Sequence, residues 1–238
     1  MHRQLKGGIV KQPGIDLKSE QRATLERPRY TSSSIAKGFF RSMDALAGAE
    51  PTLPKVEVIE ALASVPYRAW ENRQYGRLSR HPQDEDLVRE ADAIMRYGRA
   101  AQDNEYQHLR VVGEKVRQEG GRGPRSLTRP IPDVMVASYR LMSGTLARVG
   151  IRRAFLLNAE FEDHAEHTYA ELVERHPEWE EQPVTGDAAR EYGEFDSWAD
   201  VFRRIGLDER NHRNASFAFA GMSEHVVNYE GMPETPGL

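Results

Sequence analysis

The sequence predicts an all-α protein, and three observations predict it. Apolar residues recur at steps of three and four over four long stretches. Alternating apolar–polar runs that would mark strands are almost absent. Proline or glycine marks several of the breaks between the periodic stretches, as at Pro54, His81-Pro82-Gln83 and Gly120-Gly121. The first fifty residues lack such periodicity and mix Gly7-Gly8, Pro13-Gly14 and Ser32-Ser33-Ser34, so 1–52 is expected to be an extended N-terminal arm. The helical body is expected over 53–224 as a single domain, with a C-terminal tail over 225–238.

The first stretch, 55–78, carries Val56, Ile59, Ala63, Tyr67 and Trp70 on one stripe. Pro54 lies near its start, where proline is tolerated, and Pro66 inside it is expected to kink or split it. A turn at His81-Pro82-Gln83 leads to the second stretch, 84–117. Its inward stripe reads Leu87, Ala91, Ile94, Gly98, Ala101, Glu105, His108 and Val112. Gly120-Gly121-Arg122-Gly123-Pro124 ends it, and an arginine-containing loop runs on to Pro132. The third stretch, 133–175, is one long helix or two stacked ones. A short helix fits 187–192. The fourth long helix starts near Ser197 with Trp198, Phe202, Ile205, Glu209, His212, Ser216 and Phe219 on one stripe. Four long amphipathic helices predict a bundle.

Composition removes several function classes. The absence of cysteine excludes disulfides, thiolate zinc sites, cysteine-ligated iron–sulfur clusters and a cysteine nucleophile. A net charge of −4 gives no basic excess for nucleic acid. A membrane span needs about 20 mostly apolar residues, and unbroken apolar runs here reach only about four, as at Ala154 to Leu157. No secretory signal is visible, and Asp16, Glu20 and Glu26 in the basic N-terminal region argue against a transit peptide. A soluble or surface-associated intracellular protein is expected.

The informative feature is what interrupts the apolar stripes. Glu105 and His108 do so on the second helix, and Glu209 and His212 on the fourth, each pair at spacing i, i+3. With 25 glutamates and 8 histidines, one Glu-x-x-His is expected roughly by chance over such windows; two on inward faces are harder to dismiss. The first and third helices each add a lone glutamate on the apolar face, Glu60 and Glu162. This is the ligand set of ferritin-like four-helix bundles that hold two iron or two manganese ions. Buried unpaired glutamates are very costly, and two divalent cations neutralise four carboxylates. Oxygen and nitrogen ligands without thiolates suit iron or manganese over zinc or copper(I). The plainer alternative is that both Glu-x-x-His pairs are solvated helix pairs of small local effect.

Four blocks of the chain resemble the alternative oxidases, including their plastid terminal oxidase relatives. They are Ile59-Glu60-Ala61-Leu62-Ala63-Ser64-Val65-Pro66, Asn104-Glu105-Tyr106-Gln107-His108-Leu109, Phe161-Glu162-Asp163-His164-Ala165-Glu166-His167-Thr168-Tyr169, and Asp200-Val201 with Asp208-Glu209-Arg210-Asn211-His212-Arg213. The resemblance covers roughly 39–218 and matches the order of all six ligand positions. It implies a ferritin-like four-helix bundle with additional short helices, attached to one membrane leaflet and forming a homodimer. The implied activity is reduction of dioxygen to water with electrons from a quinol. Glu60, Glu105, His108, Glu162, Glu209 and His212 would hold two iron ions, manganese being the second choice. Tyr169 would be the tyrosine that carries single electrons; otherwise it is a packed phenol. Asn104 and Asp208 would orient the ligands. Lys55, Phe161, His164 and Thr168 would lie at the quinol. The protein is then expected on the cytoplasmic face of a membrane or in the cytoplasm.

The sequence departs from that pattern at Tyr67-Arg68-Ala69-Trp70-Glu71-Asn72-Arg73, where the family carries a glycine- and methionine-rich run. It departs again at His164, in place of a carboxylate, and at Arg140, Arg148, Arg152 and Arg153, in a region more apolar in the family. An interfacial helix can carry arginines on its polar side. These departures keep open a second reading, a soluble di-iron oxidase or oxygenase for a small organic substrate, and a third, a metal-binding or structural bundle without turnover.

Overall fold

A computed structural model describes residues 14–121 and 130–236, and no strand occurs among them. Helix α1 (Leu17–Glu26) starts at Asp16, whose carboxylate accepts from the Lys18 and Ser19 backbone N–H groups at 3.1 and 3.0 Å. Helix α2 (Ser34–Ala47) starts at Ser33, whose hydroxyl accepts from Ala36 N. The arm is therefore not extended where it is described. The residues of α1 that face the body are Glu20, Gln21 and Thr24, held by hydrogen bonds and ion pairs, so the segment carries no apolar stripe. Residues 1–13 lie outside the described residues.

Helix α3 (Leu53–Leu78) has proline in its first turn and runs unbroken through Pro66. An internal proline costs about 3 kcal/mol through one lost N–H bond and a ring clash. Here Val65, Pro66 and Tyr67 are all buried, and packing on several sides carries the helix past it. Helix α4 (Glu85–Gln118) is capped by Asp84, which accepts from Leu87 N at 3.0 Å, and ends with Lys115 and Arg117 in its last turn. The predicted loop from 120 to 132 falls mostly on residues 122–129, outside the described residues. Helix α5 already begins at Pro130 (Pro130–Val149). The 133–175 stretch is two helices, because the chain leaves helical geometry at Gly150 before α6 (Ile151–Arg175). After a 3₁₀ turn at Pro177–Glu180 come α7 (Asp187–Tyr192) and α8 (Trp198–Ala220). Ser197 caps α8, and Gly221 ends it in the left-handed region.

Helix α3 packs against α4, α5 and α6, and α6 packs along α8, with α1 laid across α6 and α8. Helix α8 is buried on nearly every side. Its inward stripe faces the interior of the protein. Its opposite face buries Arg210 and Arg213 beneath α1 and the C-terminal residues.

Two apolar clusters lie at either end of these helices. One gathers Val56, Val112, Leu172, Trp179, Trp198, Phe202 and Ile205, and includes Tyr169. The other gathers Trp70, Ile94, Ala101, Phe155 and Phe219, and includes Tyr67. The polar side chains of the stripes occupy the layer between them. Close helix approach shapes that layer: at Gly206 a Cβ would lie 3.2 Å from Tyr169 Cβ, tighter than most packed Cβ atoms adopt.

Candidate metal centre

The six predicted ligands arrive from four helices: Glu60 from α3, Glu105 and His108 from α4, Glu162 from α6, and Glu209 and His212 from α8. Each is buried, none more than 5% exposed. Helical spacing explains the local half of this, since residues three apart share a face. The structure brings all six together in two overlapping groups. Glu60, Glu105, His108 and Glu209 form one, and Glu105, Glu162, Glu209 and His212 the other, with the candidate ligand atoms of each group within 4.8 Å of one another. Glu105 and Glu209 belong to both.

His108 Nδ1 lies 3.0 Å from Glu209 Oε1, 3.4 Å from Glu105 Oε2 and 3.7 Å from Glu60 Oε2. His212 Nδ1 lies 2.8 Å from Glu105 Oε1 and 3.6 Å from Glu209 Oε2. Yet Glu60 Oε2, both oxygens of Glu105 and of Glu209, and the Nδ1 atoms of both histidines are buried without an aligned hydrogen-bond partner. Buried polar atoms are rarely left so. Ligand bonds to a divalent metal run about 2.0–2.2 Å, which separates neighbouring ligand atoms by about 3 Å. The orphaned atoms have that spacing, and their donor set of carboxylates and imidazoles suits iron or manganese. The residues present fit a pair of divalent cations.

Electrostatics point the same way. Burial, then the Glu209 carboxylate, pushes the carboxyl groups of Glu60 and Glu162 well above the ordinary range. Burial also opposes ionisation of Glu209, but His108 and His212 outweigh it and hold that carboxyl down at about 2. Burial disfavours the imidazolium forms of His108 and His212. The surrounding groups win: Tyr192, Asp208 and Glu105 about His108, and Glu105 with Glu209 about His212, so both pKa values are raised. Protons thus partly neutralise the acidic layer when no cation does.

The supporting shell is more extensive than the sequence motifs indicate. Asp208 Oδ2 lies 3.5 Å from His108 Nε2 and accepts from Tyr192 OH at 2.7 Å and Asn104 Nδ2 at 3.3 Å. Arg204 caps its other oxygen, and despite burial this cation keeps Asp208 ionised. With Nε2 turned to Asp208, His108 presents Nδ1 to the glutamates. Tyr169 donates its hydroxyl to Glu60 Oε1 and is fully buried. Tyr67 donates to Glu162 Oε1 at 2.7 Å, and Asn158 donates to the same oxygen at 2.9 Å while also reaching Ser216 Oγ. Tyr67, Asn158, Ser216, Tyr192 and Arg204 were not singled out from the sequence as site residues. For Tyr67 a signal existed: it follows Glu60 by seven residues, as Tyr169 follows Glu162.

The four residues expected at a quinol divide into two sets. Phe161 and His164 line a small cavity beside Glu162, with Phe40, Leu62, Ala63 and Tyr139. Its volume is about 20 Å³, room for about one water. His164 stacks on Phe40, and burial together with Arg29 and Lys55 drives its pKa down to about 3, so the ring is neutral. Lys55 and Thr168 are not among the residues lining that cavity. The Lys55 ammonium binds Asp44 Oδ1 at 2.7 Å and the Ala49 carbonyl at 2.8 Å, and the Thr168 hydroxyl donates to the His164 carbonyl.

A third acidic group, Asp163, Glu166 and His167, is of a different kind. Glu166 accepts from Thr24, Arg27 and Arg210, and Asp163 from Arg213 and Tyr30 N. Arginines already supply its positive charge, and it serves to fasten α1 to α6 and α8.

No protein-family model, curated protein or solved structure matches the chain.

Proposed function

We propose that this protein is a di-iron oxidoreductase that reduces dioxygen to water with electrons from a quinol, related to the alternative oxidases. In this reading α3, α4, α6 and α8 are the four helices of a ferritin-like bundle. The observation that carries it is the convergence of seven unpartnered buried atoms, five carboxylate oxygens and two imidazole nitrogens, in one layer of the core. Few arrangements other than a cation pair relieve such a layer.

Glu105 and Glu209 would be shared by the two metals, with Glu60 and His108 completing one position and Glu162 and His212 the other. A di-iron pair, when bound, supplies the electron transfer to dioxygen. The chain contributes orientation and protons. Asp208 fixes the His108 ring. Tyr169 keeps a proton on the hydrogen bond to Glu60 and is placed to pass an electron and that proton together. Tyr67 and Asn158 hold Glu162 from the other side. The two apolar clusters exclude bulk water from the layer.

Among the described residues, no helix is long and apolar enough to cross a membrane. Attachment to one leaflet, as a dimer, would draw on α5, where Val134, Leu141 and Val149 are exposed. The second reading, an oxidase or oxygenase for a small organic substrate, is favoured by the size of the cavity beside Glu162, far smaller than a quinol ring. Oxygen uptake by iron-loaded protein with short-chain ubiquinol separates the two. Quinol-dependent uptake is expected; uptake only with another organic donor would transfer the conclusion to the second reading, and no uptake with any donor would reject both.

A further inference from the structure

A cavity of about 330 Å³ opens between α3 and α5, walled by Val65, Arg68, Ala69, Asn72 and Arg73 on one side and Arg140, Gly144 and Arg148 on the other. Four arginines line one space, and no acidic residue does. In a chain of net charge −4, such a concentration does not follow from a basic composition.

Many of the arginines elsewhere are matched. Arg27, Arg29, Arg77, Arg99, Arg110 and Arg203 each hold a carboxylate. Arg68, Arg140 and Arg148 have no ion-pair or hydrogen-bond partner among the described residues, and Arg73 has only a long contact of 3.4 Å to Gln74. The nearest acids are engaged elsewhere. Glu71 accepts from Arg99 and Gln102, and Glu90 is gripped by both Nη atoms of Arg77 at 2.9 Å. Burial and the neighbouring Arg77 charge disfavour the charged form of Arg73. Gathering like charges around one cleft with no carboxylate among its lining residues is unfavourable. A planar guanidinium fork is suited to phosphate oxygens. The volume falls in the range of ligand sites.

We propose that the α3–α5 cleft binds a polyanionic phosphate group, through Arg68 and Arg73 on one wall and Arg140 and Arg148 on the other. None of these residues belongs to the candidate metal centre, so the two sites stand or fall separately.

The test uses the full-length, metal-loaded chain and inorganic pyrophosphate as the probe, followed by calorimetry. Saturable binding that weakens with added salt is expected. Arg140→Gln, Arg148→Gln and Arg68→Gln should each weaken it roughly tenfold, the loss of one charge-assisted contact. Arg190→Gln, on the exposed side of α7, should leave it unchanged. These arginines are exposed, so melting temperature and metal content should stay at the parent level. A second arm measures flotation with phosphatidylcholine vesicles, with and without phosphatidic acid, whose phosphate monoester carries up to two charges. Pyrophosphate binding alone assigns the site to a soluble phosphate compound. Arginine-dependent flotation with phosphatidic acid assigns it to a lipid headgroup. Binding of neither probe, or binding that survives all three cleft substitutions, overturns the proposal.

Discussion

Tyr67 on α3 donates its hydroxyl to Glu162 on α6 at 2.7 Å, and the arrangement is reciprocal, since Tyr169 on α6 donates to Glu60 on α3. Each tyrosine follows one of the two unshared glutamates by seven residues and serves the other glutamate. The two phenols come from opposite apolar clusters, so the acidic layer is closed at both ends by a hydrogen-bonded ring.

Removing either hydroxyl leaves a buried carboxylate oxygen short of a donor. Tyr67→Phe and Tyr169→Phe are each expected to keep the fold and to weaken metal affinity by about 10- to 100-fold, as outer-shell changes typically do. Tyr169→Phe should also slow oxygen turnover at saturating metal, which Tyr67→Phe should do less. Competition against a chelator gives the affinity, and an oxygen electrode gives the turnover. Full activity of Tyr169→Phe would remove its assigned electron-carrying role while leaving the metal centre in place.

Shared and unshared ligands should behave differently. Glu105→Ala or Glu209→Ala takes a ligand from both positions, so both metals should be lost. Glu60→Ala should empty mainly the position of His108, and Glu162→Ala or His212→Ala mainly the other. Activity should vanish in every case. Elemental analysis of metal per chain discriminates; equal stoichiometry in Glu60→Ala and Glu105→Ala would disprove the sharing.

The metal-free protein should lose stability as pH rises. Glu60 and Glu162 have folded pKa values raised above the unfolded 4.5, and His108 and His212 above 6.5. For each, the protonated form is favoured on folding. Its contribution is fully present below the unfolded value and fades as pH climbs toward the folded one. Metal ligation requires the same groups to shed protons, so affinity rises over that window. The gap in melting temperature between Mn(II)-loaded and chelator-treated protein should therefore widen from pH 5.5 to pH 8. A gap that is constant or shrinks would contradict the site.

Glu166 is buried between Arg27 and Arg210, and despite burial those cations keep its pKa below the usual value. Glu166→Ala would break the buried pair with Arg210, itself 1% exposed, and leave Glu20 as that cation's remaining carboxylate. A loss of about 3–5 kcal/mol is expected, the range for breaking a buried pair, read as a lower denaturant midpoint. Metal stoichiometry at saturation should not change, since Glu166 holds α1 rather than the acidic layer.

The sequence by itself determined α3, α4, α7 and α8, helical structure where α5 and α6 lie, and the six side chains that interrupt the stripes. A helix repeats every 3.6 residues, so the face on which Glu105 and His108 sit is a local property, readable from their neighbours. It did not reveal α1, whose attachment runs through Glu20, Gln21 and Thr24 to partners as far away as Arg210, because such a segment has no apolar period. Nor could it assign Lys55 to Asp44, match Tyr67 to Glu162, or set four arginines around one cleft. Those relationships depend on how far each helix is shifted and rotated against the next. That register is set by packing between residues distant in the chain, so only the tertiary structure decided which glutamates belong to both groups and which arginines share a cleft.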